Sequence, residues 1–340
     1  MEWRIRPGPT VTTPEPDLIE FLRDYGLAEP DETGDWVPLA GGVSSDIWRV
    51  KTQAGAFCVK RALARLKVAS DWTAPVGRNA MEWAYMEVVS AIAPGAMPQP
   101  IVHDPARGLF AMAWLAPDRY PLWKSELMAG RVDPDFAGDV GALVGRIHSA
   151  TARNRTLPAG FATNDSFEAL RIEPYLRTTA RAHPDLAATI EGIAATTAAT
   201  HKVLVHGDVS PKNILRGPEG PVLLDAECAW FGDPAFDLAF CLNHLVIKAR
   251  VVQGAAGLLA TAFNMLASAY FARIDWEPAD NLEFRAAKLL PALALARVDG
   301  KSPVEYLNEE QRDALRAAAR SAVAAQPTTL ERARVLLSSE

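Results

Sequence analysis

The chain has 340 residues, 49% of them hydrophobic, a net charge of −6 and a sequence pI near 5.6. That is enough apolar material for one large domain or two lobes. The acidity argues against a protein that mainly binds nucleic acid, because phosphate contacts call for Lys and Arg. Cys58, Cys228 and Cys241 are widely spaced and odd in number, a poor disulfide framework that points to a reducing cytoplasm. The N-terminal stretch MEWRIRPGPTVTTPEPD lacks the apolar segment of a signal peptide, and no apolar run reaches the ~18 residues a membrane span needs.

After a proline-rich start, residues 16–27 (PDLIEFLRDYGL) read as a short amphipathic helix with Leu18, Phe21, Leu22 and Tyr25 on one face. From 36 to 61 the pattern becomes strand, Gly-Gly turn, strand, turn, strand. Residues 77–93 have helical spacing, and PQPIVHD and GLFAMAWLAP read as two further strands. The first ~115 residues therefore predict a small antiparallel sheet with one inserted helix. The character then shifts. Residues 133–151 form a strong helix pattern, with Phe136, Val140, Leu143, Val144 and Ile147 at 3–4 spacing. Residues 165–200 also look helical, with an interruption at Pro184. KVLVHGD and GPVLLDAE are short apolar strands, expected to form a hairpin across the turn RGPEGP. Apolar helices follow, and a final one starts near NEEQRDAL. The expectation is an α+β protein of two lobes: residues 1–116, a sheet-rich nucleotide-binding lobe, and residues 117–340, a larger, mostly helical lobe for catalysis and the acceptor.

The chemistry concentrates in HGDVSPKN, residues 206–213. Asp208 and Asn213 stand five apart on a loop, and Asp225 ends the run VLLD. A hairpin would bring the three to one end of the structure. Two carboxylates and an amide oxygen suit a hard divalent cation such as Mg2+, which takes few protein oxygens and completes its shell with phosphate and water. With Asn213 and Asp225 on the metal, Asp208 is free to take a proton from a hydroxyl. Upstream, Gly41 and Gly42 lie at a strand–turn–strand junction where backbone can approach a phosphate, and Ser44 and Ser45 add donors. Lys60 ends an apolar strand and needs a partner if buried; Glu82 on the next helix is the natural one, and Glu87 falls off that helical face. Glycine turn, lysine, helical glutamate, D-x4-N and aspartate follow the order of parts used for phosphoryl transfer in kinases.

HGDVSPKN followed by LLDAE and GDPAFDLA resembles the aminoglycoside phosphotransferase and choline-kinase-like family, which shares the protein-kinase fold. The resemblance covers most of residues 36–245, and LARVDGKSPVEYL resembles C-terminal segments of bacterial members. It implies a bilobal protein-kinase-like fold, a small antiparallel sheet lobe with one helix beside a larger helical lobe. It implies Asp208 as catalytic base, Asn213 and Asp225 as magnesium ligands, and Lys60 on the α- and β-phosphates of ATP with Glu82 as its ion-pair partner. Gly41 to Ser45 would cover the phosphates, and Met112, Trp114 and Leu115 would border the adenine. DAE in place of DFG, and a glycine loop short of GxGxxG, are ordinary for the family.

Other residues carry paired readings. His206 orients the loop more simply than it acts as a base, and Lys212 is either a solvated charge or a γ-phosphate contact. The resemblance implies that Asp237, in GDPAFDLA, sits on a helix and ties the catalytic loop by accepting backbone N–H bonds. Glu227 and Asp233 either line the acceptor pocket or stand exposed; Trp230 and His244 border the acceptor, or in the case of Trp230 belong to the core. Arg297 and Asp299 brace a turn at Gly300 rather than reach the acceptor, with Ser302 as an expected helix N-cap. The functional expectation is an ATP- and Mg2+-dependent kinase acting on a hydroxyl of a small molecule. An aminoglycoside, choline, ethanolamine, a methylthio-sugar and homoserine all fit. Residues 154–185 contain few carboxylates, which favours a metabolic hydroxyl compound over a polycationic antibiotic. The rivals are a nucleotide-binding regulator without turnover and a protein kinase, the latter disfavoured because no APE-like segment follows Asp225. The tryptophans form no stacking ladder for nucleic acid, and oligomeric state is not legible.

Overall fold

A computed structural model describes residues 14–39, 45–63 and 77–338. The predicted glycine turn at Gly41, Gly42 and Ser44 lies outside them.

Helix α1 (Pro16–Asp24) is followed by a five-stranded antiparallel sheet of β1 (Asp35–Pro38), β2 (Ser45–Thr52), β3 (Gly55–Ala62), β4 (Pro100–Asp104) and β5 (Leu109–Ala113), in the order β1-β2-β3-β5-β4. Helix α2 (Arg78–Ile92) is inserted between β3 and β4. Strand side chains alternate between faces, and here the alternation sorts two cores. Phe57 and Val59 of β3 and Leu109 and Ala111 of β5 pack with Leu18, Phe21 and Leu22 of α1. Phe110 of β5 points the other way and joins Tyr85, Met86 and Val89 of α2 in the main core. Lys60 stands opposite Phe110 in the β3–β5 register, on the α2 face. Tyr25, expected to share the buried face of α1, is exposed: the helix ends at Asp24, and Tyr25 turns away as its C-cap.

The remainder is mainly helical: α3 (Trp123–Met128), α4 (Pro134–Ala152), α5 (Leu157–Gly160) and α6 (Asn164–Phe167), which continues through a π-helical stretch, Glu168–Arg177, into α7 (Thr178–Ala182). Pro174 lies inside that stretch, where its missing N–H is tolerated by the wider register. After α8 (Ala187–Ala199) come β6 (Val203–Val205), β7 (Ile214–Gly217), β8 (Gly220–Leu223) and β9 (Trp230–Gly232). The expected hairpin between VLV and VLL is not formed. β7 pairs with β8, whereas β6 pairs with β9, a strand the sequence pattern did not announce. The two ladders hold the 206–213 loop and the turn at 224–229 side by side.

Helices α9 (Pro234–Ala249), α10 (Ala256–Phe271), α11 (Ala279–Asp299), α12 (Glu309–Ala325) and α13 (Leu330–Ser338) close the chain. A capping box of Asn308 and Gln311 starts α12, while Ser302 lies in the preceding loop and caps no helix; α13 is a helix beyond the one expected to be last. Gly138, Gly141 and Gly145 let α4 approach α10 closely: a Cβ on Gly141 would lie 2.1 Å from Leu266 O.

Candidate active site

The site is assembled from backbone geometry first. Gly207 has φ +79°, and a Cβ there would fall 2.7 Å from Cys228 O, so the loop can pass the 225–229 turn only as glycine. Asp237, wholly buried in the first turns of α9, accepts the N–H groups of His206 (2.7 Å) and Gly207 (2.8 Å). This is the tie expected from the sequence. His148 Nε2 also meets Asp237, at 3.3 Å, and its Nδ1 meets Tyr270 OH. His206 Nε2 lies 3.1 Å from Leu224 O while Nδ1 accepts from Asp208 N. The tautomer protonated on Nε2 satisfies both bonds, and burial depresses the imidazole pKa. His206 is thus a neutral brace between loop and turn.

Asp208 is buried, and its carboxylate is held by Arg171 (3.0 Å) and Lys212 (3.0 Å), with Ser210 Oγ at 3.3 Å. Burial would raise its pKa, but the Lys212 and Arg171 charges outweigh it and hold the carboxyl below its usual range. Asp208 is therefore an ionised acceptor. Arg171, which the sequence reading missed, comes from the π-helical stretch and also donates to Gly207 O. Its pattern in RIEPYL is that of an ordinary helical arginine; only the tertiary fold shows it buried on the loop.

Lys60 Nζ bridges the two halves of the structure. It lies 2.7 Å from Glu82 and 2.5 Å from Asp225. Glu82 shares the buried face of α2 with Tyr85, Met86 and Val89, at helical spacing, while Glu87 is exposed. Burial alone would depress the lysine pKa, but Asp225 and Glu82 more than reverse this, so Lys60 stays charged. Asp225, at φ +64° in a region uncommon for a non-glycine residue, is held below its usual range against burial by Lys60.

The oxygen set fits a hard cation in one specific respect. Asn213 donates its amide nitrogen to Asp208 O (3.2 Å), and Asp225 offers Oδ1 to Lys60. Asn213 Oδ1 and Asp225 Oδ2 have no protein donor among the described residues. No cluster of three or more His, Cys, Asp or Glu side chains among those residues could hold a metal alone. Two protein oxygens next to phosphate ligands are the pattern magnesium tolerates. Ser45 begins β2 with a buried Oγ that has no partner among the described residues. Met112 lies on β5 opposite Cys58, and Trp114 and Leu115, both half-buried, follow the strand.

The candidate acceptor residues are placed unequally. Trp230 is buried and stacks on Phe167 at 4.1 Å, a core position. Asp233 caps α9 and pairs with Arg285 at 3.1 Å. Both are buried in packing and capping contacts. Glu227 pairs with Arg78 at 2.9 Å, from the start of α2. His244 is buried on α9, and its Nε2 has no partner among the described residues. Arg297 bonds to Ser302 O, Ser302 Oγ and Tyr175 OH, bracing the loop after α11, while Asp299 pairs with His183 and Arg316.

A model of the phosphotransferase enzyme family matches residues 35–280, more than half of the chain. The protein belongs to that family. The phosphotransferase is 22% identical over 273 residues to methylthioribose kinase of Pectobacterium atrosepticum, covering 72% of this chain and 67% of that one. Among solved structures it resembles a choline/ethanolamine kinase family protein from Mesorhizobium loti, with TM-score 0.54 and 16% identity over 94% and 98% of the two chains. An amicoumacin kinase in complex with AMP-PNP and Ca2+ superimposes with TM-score 0.56 and 12% identity over 93% and 98%. The phosphotransferase thus has the protein-kinase-like α+β fold expected from its motifs. No helix of the described residues is long and apolar enough to cross a membrane.

Proposed function

We propose that the protein transfers the γ-phosphoryl group of ATP, with Mg2+, to a hydroxyl of a small molecule. The observation that carries this reading is Lys60 Nζ shared between Glu82 and Asp225. It sets a charged amine from the sheet on the Asp225 turn, which lies beside the loop that bears Asp208. Residues 1–116 form the nucleotide lobe and 117–340 the acceptor lobe, with Met112, Trp114 and Leu115 against the adenine and Ser45 beside the phosphates. Asn213 Oδ1 and Asp225 Oδ2 would hold the metal, which neutralises phosphate charge when bound. Asp208, ionised, accepts the hydroxyl proton and aims the oxygen. Lys212 is half-exposed on a flexible stem, so it can leave Asp208 for an incoming phosphate. Arg171 keeps Asp208 oriented meanwhile. Positioning and fixed charge supply most of the rate in such reactions. The methylthioribose kinase, the choline/ethanolamine kinase family protein and the amicoumacin kinase that the chain resembles all support a small-molecule acceptor. The three cysteines are buried and unpaired, which supports a cytoplasmic setting.

The test is ADP release over a panel of hydroxyl compounds, with and without EDTA, for wild type and Asp208→Ala. Wild-type turnover that EDTA abolishes, and a loss of at least about 100-fold in kcat in the variant, are expected. Tight ATP binding without turnover of any compound would instead identify a regulator.

A further inference from the structure

Beside the loop that bears Asp208 the chain buries two cationic side chains with no counter-charge among the described residues. Phe240, His244 and Lys248 recur every fourth residue along one face of α9. Lys248 is almost fully buried, and its Nζ is 3.4 Å from Tyr306 OH and 5.1 Å from the centre of that ring. Arg297 of α11 is also more than nine-tenths buried, with its Nε unpartnered. Neither Lys248 nor Arg297 has an ion-pair partner among the described residues. The other cations nearby are matched: Lys124 of α3 meets Glu305, and Arg171 and Lys212 share Asp208. His244 adds a buried ring nitrogen without a partner.

This cluster adjoins the reacting groups. The Tyr175 ring lies 5.9 Å from the Arg171 guanidinium carbon and 5.7 Å from that of Arg297. Arg297 is therefore one aromatic ring away from the arginine that grips Asp208. Burial keeps His244 neutral, aided by the positive charges of Lys248, Arg297, Lys212 and Lys124. An uncompensated buried charge is strongly unfavourable, and a buried lysine sheds its proton unless an anion from outside the chain repays the charge. Lys248 and Arg297 supply donors and no acceptor, and the neutral His244 ring adds one N–H donor beside one acceptor nitrogen. A quaternary ammonium or polyamine would meet like charge here.

We infer that the phosphoryl acceptor carries a carboxylate or phosphate group, held by Lys248 and Arg297 while its hydroxyl lies at Asp208. The inference rests on the kinase reading for the word acceptor; the anion site itself does not.

Two matched pairs test it: D-gluconate against D-glucitol, and glucose 6-phosphate against glucose, with choline and inorganic phosphate as further arms. Each is scored by thermal shift without ATP and by ADP release with ATP. The anionic member of each pair should stabilise the protein and be preferred in turnover. Lys248→Met should lower that preference about tenfold or more while leaving ATP affinity unchanged, and its ligand-free form should melt at or above wild type. Lys248→Gln provides a second variant should the first fail to fold. Preference for glucitol, glucose or choline overturns the inference while leaving the kinase intact, as does discrimination unchanged in the variants. Absence of stabilisation by any of the anions overturns it too. Inorganic phosphate stabilising as well as glucose 6-phosphate, without anion-dependent turnover, overturns the acceptor assignment. Stabilisation by anionic hydroxyl compounds above inorganic phosphate, with no turnover of any compound, supports the site and sinks the kinase reading instead.

Discussion

Removing the Asp237 carboxylate should loosen the catalytic loop before it unfolds the protein. Asp237 is wholly buried and accepts two backbone N–H bonds, at 2.7 and 2.8 Å, from the residues just before Asp208. Hydrogen bonds to a charged group contribute about 1.5–3 kcal/mol each, and a buried donor left bare costs its desolvation penalty. Asp237→Ala should therefore destabilise by roughly 3–6 kcal/mol, a large part of the ~5–15 kcal/mol that holds a typical protein folded. Asp237→Asn keeps the volume but presents an NH2 to one of the N–H groups, so about half that loss is expected. Urea unfolding followed by tryptophan fluorescence measures the first effect. The second is kinetic: kcat for ADP release should fall with little change in KM for ATP, because Lys60 and Glu82 stand on other elements. An Asp237→Ala protein within about 1 kcal/mol of wild type, with unchanged kcat, would refute the claim that this side chain sets the loop.

Further outcomes follow from the same geometry. Gly207→Ala combines a positive φ with a Cβ 2.7 Å from Cys228 O, and should lose about 2–4 kcal/mol and most activity; circular dichroism melts and ADP release check this together. Gly141→Ala places a methyl 2.1 Å from Leu266 O, forcing α4 and α10 apart. It should cost at least about 3 kcal/mol in urea unfolding while leaving ATP affinity of the folded fraction near wild type. For pH, burial against Lys124 and Arg297, eased by Glu305 and Cys241, lowers the Lys248 ammonium from 10.5 to about 7; His244 and Tyr306 also face it. The unfolded chain then binds the extra proton between those values, so stability rises with pH across about 7 to 10.5, by on the order of 1.4 kcal/mol per pH unit. Lys248→Met should lack that increment; equal slopes for the two proteins by urea unfolding would show that the lysine stays charged.

Much of the site was legible because it is local. Asp208 and Asn213 are bound to one loop by five residues of chain, and Lys60 and Glu82 were marked by an amine on an apolar strand and a carboxylate on an apolar helical face. Asp237 was readable only through the family resemblance of GDPAFDLA. Strand and helix periods set the sheet and α2, since side-chain alternation decides which face is buried. The pairing of β6 was misread because three-residue apolar runs carry no partner information. Long-range packing chose WFG over VLL, and so laid Gly207 against Cys228. Arg171, Arg78 and the unpaired Lys248 and Arg297 are indistinguishable in the sequence from solvated helical charges. Burial is a property of what packs on top, contributed here by helices and loops tens of residues away. Chain order thus dictated the chemistry of phosphoryl transfer, and only the tertiary structure decided which charges beside it lack a counter-ion among the described residues.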